Sequence, residues 1–385
     1  MKNERIFLSS PHISGKEIDY VKEAFLTNWI APLGPHVNLF EKELSQFTGS
    51  KGAVAVNSGT AGIHLALKLL NVGNGDHVFC STFTFVASAN PILYEGATPV
   101  FIDSEPSTWN MSPQALKKAF EDAAGEGKLP KAVIIVNLYG QSADMDPLLS
   151  ICEEYHVPVI EDAAESLGAT YKGKASGTMG KFGVYSFNGN KIITSSGGGM
   201  LVSDDEEALE KARFWATQSR ERTKHYEHQE IGYNYRLSNV SAGIGRAQLR
   251  VLEDRVNARR QVYKNYYSAL SDYKGITFMP EALYGRATRW LTVMTMDKQL
   301  TGVTPLELIN RLEEENIEAR QVWKPMHLQP LFKNYRYYPH HPNESVSDLL
   351  FEKGICLPSG SNLTIDQQSR VINCMNSFNK NQEAP

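Results

Sequence analysis

The sequence predicts an α/β protein with a mostly parallel sheet between helices, followed by a smaller α+β unit toward the C-terminus. Three observations predict it. The chain has 385 residues, more than one hydrophobic core usually fills, so two packed units are expected. From residue 53 onward, short apolar runs alternate with helix-period segments, the pattern of strands buried on both faces and joined by crossover helices. After residue 249 that alternation stops and a long stretch with helical spacing takes over. The expected division is 1–250 for a large unit with an N-terminal segment and 251–385 for a small unit entered by a long helix.

The elements follow in chain order. "AVAV" (53–56) leads into the helical "TAGIHLALKLL", and "HVFC" (77–80) into "FVASANPILYEG". "TPVFI" (98–102) is followed by "SPQALKKAFEDAA", and "AVIIV" (132–136) by "MDPLLSICEEY". "VPVIED" (157–162), "FGVYSF" (182–187) and "MLVSD" (200–204) continue the strands. Leu249, Leu252, Val256, Val262, Tyr263, Tyr266 and Leu270 recur every three to four residues and predict one long helix. "RWLTVMTMD", "TPLELINRLEEENI", "EARQVW" and "DQQSRVINCMNSF" build the small unit, and the polar tail "NKNQEAP" is expected to fray.

Lys+Arg 39 against Asp+Glu 43, a net charge of -4, gives no bulk attraction to nucleic acid or an anionic membrane. No apolar run reaches bilayer-spanning length and the first residues lack an apolar leader core, so a cytoplasmic location is expected. Cys80, Cys152, Cys356 and Cys374 lack CxxC spacing and read as free thiols. His225 and His228, three apart in "KHYEHQ", lack neighbouring ligands, and no metal is expected.

Ligands in such sheets gather at the carboxyl ends of strands. Three segments lie there. In "AVAVNSGTAGIHLAL", Asn57, Ser58, Gly59 and Thr60 form the turn into a helix whose N-terminal N–H groups suit a phosphate; a helix capped by Ser or Thr without a ligand fits equally. In "VPVIEDAAESLGA", an apolar strand stops at Glu161 and Asp162. A carboxylate there needs a cation or several donors; Asp162 could cap the next helix or pair with the protonated ring nitrogen of a pyridine cofactor.

The third segment, "SFNGNKIITSSGGGM" (186–200), carries Lys191 before three consecutive glycines. A lysine reacts with an aldehyde only as the neutral amine, so it must be held out of bulk water. Glycines permit close backbone approach around it. Together the segments compose a pyridoxal phosphate site, with phosphate near Thr60, ring nitrogen on Asp162 and aldehyde carbon on Lys191. Ser186 would add a hydroxyl to the phosphate, and Phe85 would either stack on the ring or pack in the core. Two other classes compete: a cofactor-free enzyme forming a lysine imine with its carbonyl substrate, and a nonenzymatic cofactor-binding regulator. Thr60 and Asp162 argue against the first, and the lack of a DNA-reading module or basic arm against the second.

These residues resemble the DegT/DnrJ/EryC1/StrS sugar aminotransferases of fold type I. The likeness covers nearly the whole chain and includes "NWIAPLGPHVNLFEKEL", "TFTFVASANPILYEGATPVFID", "GYNYRLSN", "EARQVWKPMH" and "GICLPSG". "SFNGNKIIT" with "GGGM", and "WKPMH", resemble the branch acting on UDP-2-acetamido-4-keto-2,6-dideoxyglucose in bacillosamine-type and exopolysaccharide pathways.

The resemblance implies a mostly parallel seven-stranded sheet, pyridoxal 5'-phosphate as cofactor, and transfer of an amino group from L-glutamate to C4 of a nucleotide-linked keto-deoxy-sugar. It implies catalytic roles for Lys191 and Asp162, and cofactor contacts from Gly59, Thr60, Ala61, Phe85, Glu165 and Ser186. It further implies a homodimer with shared active sites, Asn234 reaching the partner's cofactor phosphate. Asn28, Trp29, Ile30 and Ala31, with Lys324, Pro325, Met326 and His327, match segments lining the sugar-nucleotide pocket. Ser195 stands where relatives commonly carry threonine, and Glu165 where related branches use several residue types. Family dehydratases replace the lysine with histidine; Lys191 argues for amino transfer.

Overall fold

The computed structural model describes residues 4–379; residues 380–385 of the polar tail lie outside the described residues. Seven strands form the main sheet: β1 (Gly52–Val56), β2 (His77–Ser81), β3 (Thr98–Ile102), β4 (Ala132–Val136), β5 (Val159–Asp162), β6 (Phe182–Ser186) and β7 (Gly199–Ser203). Their order is β1-β7-β6-β5-β4-β2-β3, and Tyr337–Tyr338 adds a short eighth strand beside β3. Pairings are parallel from β6 through β3, while β7 runs antiparallel to both neighbours. The sheet is therefore mostly parallel, and because β7 alone reverses, β1 points the same way as β5 and β6.

Burial explains the sequence pattern. β4 is buried at all five positions, because helices such as Pro113–Gly125 and Met145–Glu154 cover one face and Gly59–Leu69 the other. The helices start where short polar side chains satisfy first-turn amides: Ser112 accepts from Ala115 N, and Thr304 with Glu307 forms a reciprocal capping box.

Two local expectations change. The spacing from Leu249 to Leu270 does not continue one helix with the preceding segment; Asn239–Leu249 and Leu252–Leu270 are separate, since Val251 leaves the helical region (φ -111°, ψ 12°). The segment after β2 is not one helix either. It breaks into a 3-10 turn Val86–Ser88 and a short helix Asn90–Tyr94 with Pro91 in its first turn.

Beyond Leu252–Leu270, an antiparallel sheet runs in the order Ile276–Phe278, Thr292–Met296, Gly354–Leu357, Arg320–Gln321. Its core includes Tyr266, Met294, Leu312, Ile355 and Val371, joined by Ile6 from the N-terminal segment. Ile6 bridges to Ile317, so the chain's start is packed on its C-terminal part. No helix among the described residues is long and apolar enough to cross a membrane.

Candidate active site

Register brings the three segments to one edge of the sheet. Gly199 pairs with Val56 on one side and Ser186 on the other, so the start of β7 lies between the turn after β1 and the end of β6. Asp162 closes β5 next to β6. The adjoining cavity, about 240 Å³, is lined by Ser58, Gly59, Thr60, Phe85, Asp162, Glu165, Ser186, Lys191, Gly197 and Trp323, among others.

The alternation of a strand separates two carboxylates that sequence places side by side. Glu161 turns away from the cavity, fully buried. It accepts from the amides of Gly177 (2.8 Å), Met179 (2.5 Å) and Gly180 (2.7 Å) and from Asn137 Nδ2 (3.0 Å), so it holds a loop. Asp162 faces the cavity, accepting from Ser88 Oγ at 2.6 Å and Ala164 N at 3.1 Å. Ser88 is in turn tied to Thr84 Oγ1 at 2.7 Å. Burial pushes the Asp162 carboxyl up; the Ser88 and Ala164 hydrogen bonds and the charge of Lys191 pull it back down.

Lys191 sits in the irregular loop between β6 and β7, its backbone N–H bonded to Asn188 O (3.0 Å). Its Nζ lies 3.9 Å from Glu165 Oε1. Burial lowers its pKa, against the raising effects of Glu165 and Asp162. That is the environment in which a lysine spends more time as a nucleophilic amine. Glu165 is fixed by Tyr139 N (2.8 Å) and Trp323 Nε1 (3.1 Å), and burial raises its pKa against the Lys191 charge.

The phosphate turn is set by its neighbours. Ser58 caps helix Gly59–Leu69, its Oγ accepting from Ala61 N at 3.1 Å, which leaves the Gly59–Thr60 turn at the cavity wall. A Cβ on Gly199 would stand 2.6 Å from Gly59 N and Ser58 O, so that glycine permits the strand to touch the turn. Gly198 has φ +134°, a conformation that favours glycine. Gly197 faces open space.

Of the other predicted residues, Phe85 is half exposed over the cavity, 5.3 Å from the Trp323 ring, and Ser186 lines the wall. The rest lie apart from this chain's own cavity. Asn234 is exposed, with its carbonyl accepting from Asn57 Nδ2 (3.1 Å). Asn28, Trp29, Ile30 and Ala31 follow the first helix (Glu17–Leu26); Asn239 binds the carbonyls of Trp29 (2.9 Å) and Ala31 (2.8 Å). Lys324 and Pro325 follow Trp323 without lining the cavity. Met326 is buried in the core, and His327 stacks on Tyr337 at 3.6 Å while contacting Thr82 (2.7 Å) and Asp348 (3.0 Å). His225 and His228 engage Glu227 and Gln218 O. Ser88, Trp290 and Trp323 are not singled out by the sequence because their partners are remote along the chain, although Trp323 lies within the segment "WKPMH".

The donor set fits pyridoxal phosphate. An amine with depressed pKa could take the aldehyde, a buried carboxylate could take the ring nitrogen, and a helix N-terminus with Ser186 could take the phosphate. When bound, the cofactor supplies an electron sink for the carbon that loses or gains a proton. Asp162 is placed to hold a proton on a ring nitrogen, and Lys191 to move one at a substrate carbon.

A largely buried lysine and a buried aspartate at the strand-end edge of the sheet are the pair a pyridoxal phosphate enzyme needs. Residues 11–376 match the model of the DegT/DnrJ/EryC1/StrS aminotransferase family, and the chain belongs to that family as a pyridoxal phosphate-dependent sugar aminotransferase. It is 62% identical over 370 residues, 96% of this chain and 95% of the relative, to EpsN of Bacillus subtilis (strain 168), a protein whose name assigns it provisionally to the pyridoxal phosphate-dependent aminotransferases. It is 36% identical over 371 residues to a GDP-perosamine synthase of Caulobacter vibrioides, covering 96% of each chain. A crystal structure of a DegT DnrJ EryC1 StrS aminotransferase from Brucella abortus superposes with a TM-score of 0.87 at 28% identity, covering 95% of this chain and 96% of that one.

Proposed function

We propose that the enzyme moves the amino group of L-glutamate to C4 of a nucleotide-linked keto-deoxy-sugar, UDP-2-acetamido-4-keto-2,6-dideoxyglucose, with Lys191 as the cofactor-bearing lysine and Asp162 as the partner of the ring nitrogen. The observation that carries the assignment is the buried Lys191 amine beside Glu165, facing the same cavity as Asp162 and the Gly59–Thr60 turn. That amine lies 3.9 Å from Glu165 and lines the same cavity as Asp162, and it is our choice for moving a proton at the substrate carbon. Support for the sugar comes from the segments "SFNGNKIIT", "GGGM" and "WKPMH". A GDP-linked 4-keto-sugar is the second reading, favoured by the similarity to a GDP-perosamine synthase.

The proposal includes a cofactor-binding large unit to residue 250, a smaller unit after it, and a homodimer. Phe25, Leu26, Trp29, Ile30 and Leu33 form a run of exposed apolar side chains near residues 28–31, the kind of surface a partner covers. Asn234 is exposed and free to face outward from its own cavity. Analytical ultracentrifugation of Leu26→Asp is expected to yield monomer with reduced activity; an unchanged dimer would remove this face from the interface.

The decisive assay supplies glutamate with UDP- and GDP-linked 4-keto-sugars and 3-keto-sugars and follows amino-sugar product. Product from the UDP 4-keto-sugar is expected. Amination of 3-keto-sugars alone would overturn the C4 assignment, and near-normal turnover by Lys191→Ala would overturn the lysine assignment.

A further inference from the structure

Trp290 makes two separate contacts to the Lys191 segment. The Lys191 Nζ lies 4.1 Å from the centroid of its ring. Its indole Nε1 donates to Asn190 O at 2.8 Å, the carbonyl just before the lysine. The ring is 1% exposed and lies nearly parallel to Tyr139, centroids 6.4 Å apart. Its own carbonyl is gripped by Arg259 Nη1 at 2.5 Å, and Arg259 also reaches Ser359 O and Ser9 Oγ. The indole is therefore held by its bond to Asn190 O and by packing beside Tyr139.

A buried ammonium needs compensation. The charged or titratable groups around Lys191 are Glu165 at 3.9 Å and Asp162 from the end of β5, with Tyr139 stacked beside Trp290 and Arg259 of helix Leu252–Leu270 on the Trp290 carbonyl. The indole face attracts a cation more strongly than any other side-chain ring, and its centroid at 4.1 Å is within 0.2 Å of the 3.9 Å separation between the amine and the Glu165 carboxylate.

We infer that Trp290 is a catalytic contact of Lys191: its ring face and Glu165 form a dock that holds the lysine's ammonium form whenever the amine is free, storing there the proton that Lys191 must hand on. The indole-to-Asn190 bond fixes the loop so that the amine falls on that face. The functional meaning rests on Lys191 being the cofactor-bearing lysine. The charge contact itself is read on cofactor-free protein, so failure of one is distinguishable from failure of the other.

The test is competitive acetylation of cofactor-free protein by acetic anhydride from pH 6 to 11, following the Lys191 peptide by mass spectrometry. The plateau rate reports access to the amine; the midpoint reports its charge equilibrium. Trp290→Leu is expected to lower the midpoint by about 0.5–1 pH unit, so that labelling well below the midpoint, normalised to the plateau, rises about 3- to 10-fold. Trp290→Phe keeps a weaker ring face but loses the Asn190 bond, and is expected to give a smaller shift in the same direction. Glu165→Gln is expected to shift it as well, since it removes the second half of the dock. If Trp290→Leu raises only the plateau, the residue is packing and the inference falls. If Trp290→Leu fails to fold, as read by circular dichroism, Trp290→Phe decides: an unchanged midpoint overturns the inference.

Discussion

The three glycines after Lys191 are adjacent in sequence but face three different environments, so a methyl group added to each in turn should have three different consequences. At Gly199 a Cβ would stand 2.6 Å from Gly59 N, Ser58 C and Ser58 O. These are backbone atoms that cannot rotate aside, so the start of β7 or the phosphate turn must shift. Overpacking of this kind costs about 1–3 kcal/mol, offset by about 0.4–1 kcal/mol from the stiffer unfolded chain. A net loss of about 1–2 kcal/mol is expected for Gly199→Ala. At Gly197 nothing lies within 4 Å, so only the entropic gain of about 0.4–1 kcal/mol applies. At Gly198 the φ of +134° and the approach to Ser195 Oγ (2.8 Å) add strain of about 1–3 kcal/mol. Urea unfolding of the cofactor-free proteins should therefore order them Gly197→Ala above wild type, with Gly198→Ala and Gly199→Ala below. The midpoints of the first and last should lie roughly 1 M apart. Cofactor titration should show Gly199→Ala weakened, because it displaces the turn that faces the phosphate. Equal stability of Gly197→Ala and Gly199→Ala would refute the claim that β7 is pressed against that turn.

Two further outcomes follow from the site. Asp162→Asn removes a charge-assisted contact to the cofactor ring worth about 1.5–3 kcal/mol, so cofactor affinity should fall about 10- to 150-fold in an absorbance titration. Burial raises the Asp162 pKa in the folded protein, so the native state binds the proton more tightly than the unfolded chain. Stability from this group is fully present below the unfolded value near ~3.9 and is lost as pH rises to the raised native pKa. Urea midpoints of cofactor-free Asp162→Asn relative to wild type should therefore improve as pH increases through that window; a constant difference would contradict it. His327 bonds Thr82, pairs with Asp348 and stacks on Tyr337, so His327→Ala should lose about 1–2 kcal/mol of stability while the KM for the sugar nucleotide stays within about twofold. A large KM effect with unchanged stability would return His327 to the substrate pocket.

The sequence made the strand ends legible because the chemistry there is local. Each strand is an uninterrupted apolar run, and a charged or small residue that ends it marks the edge where ligands collect. Asp162, the Ser58–Thr60 turn and Lys191 could be named that way. The roles of Glu161 and Asp162 could not be separated along the chain; the pleat sends one to a loop of amides and the other to the cavity. Ser88 was hidden in a segment whose spacing looked helical, since its role depends on a strand 74 positions away.

Periodicity, strand termini and the resemblance of motifs thus determined the fold class and the cofactor and singled out candidate residues, because these depend on short-range pattern and on side-chain chemistry. Tertiary structure alone decided which carboxylate faces the cavity, that Trp323 lines it, that Trp290 lies against Lys191, and that Met326 is buried while His327 stacks on Tyr337. Those outcomes depend on strand register and on contacts between segments remote in sequence, such as Trp290 with Asn190, 100 positions apart, and register is a property of paired strands that no single strand's sequence contains.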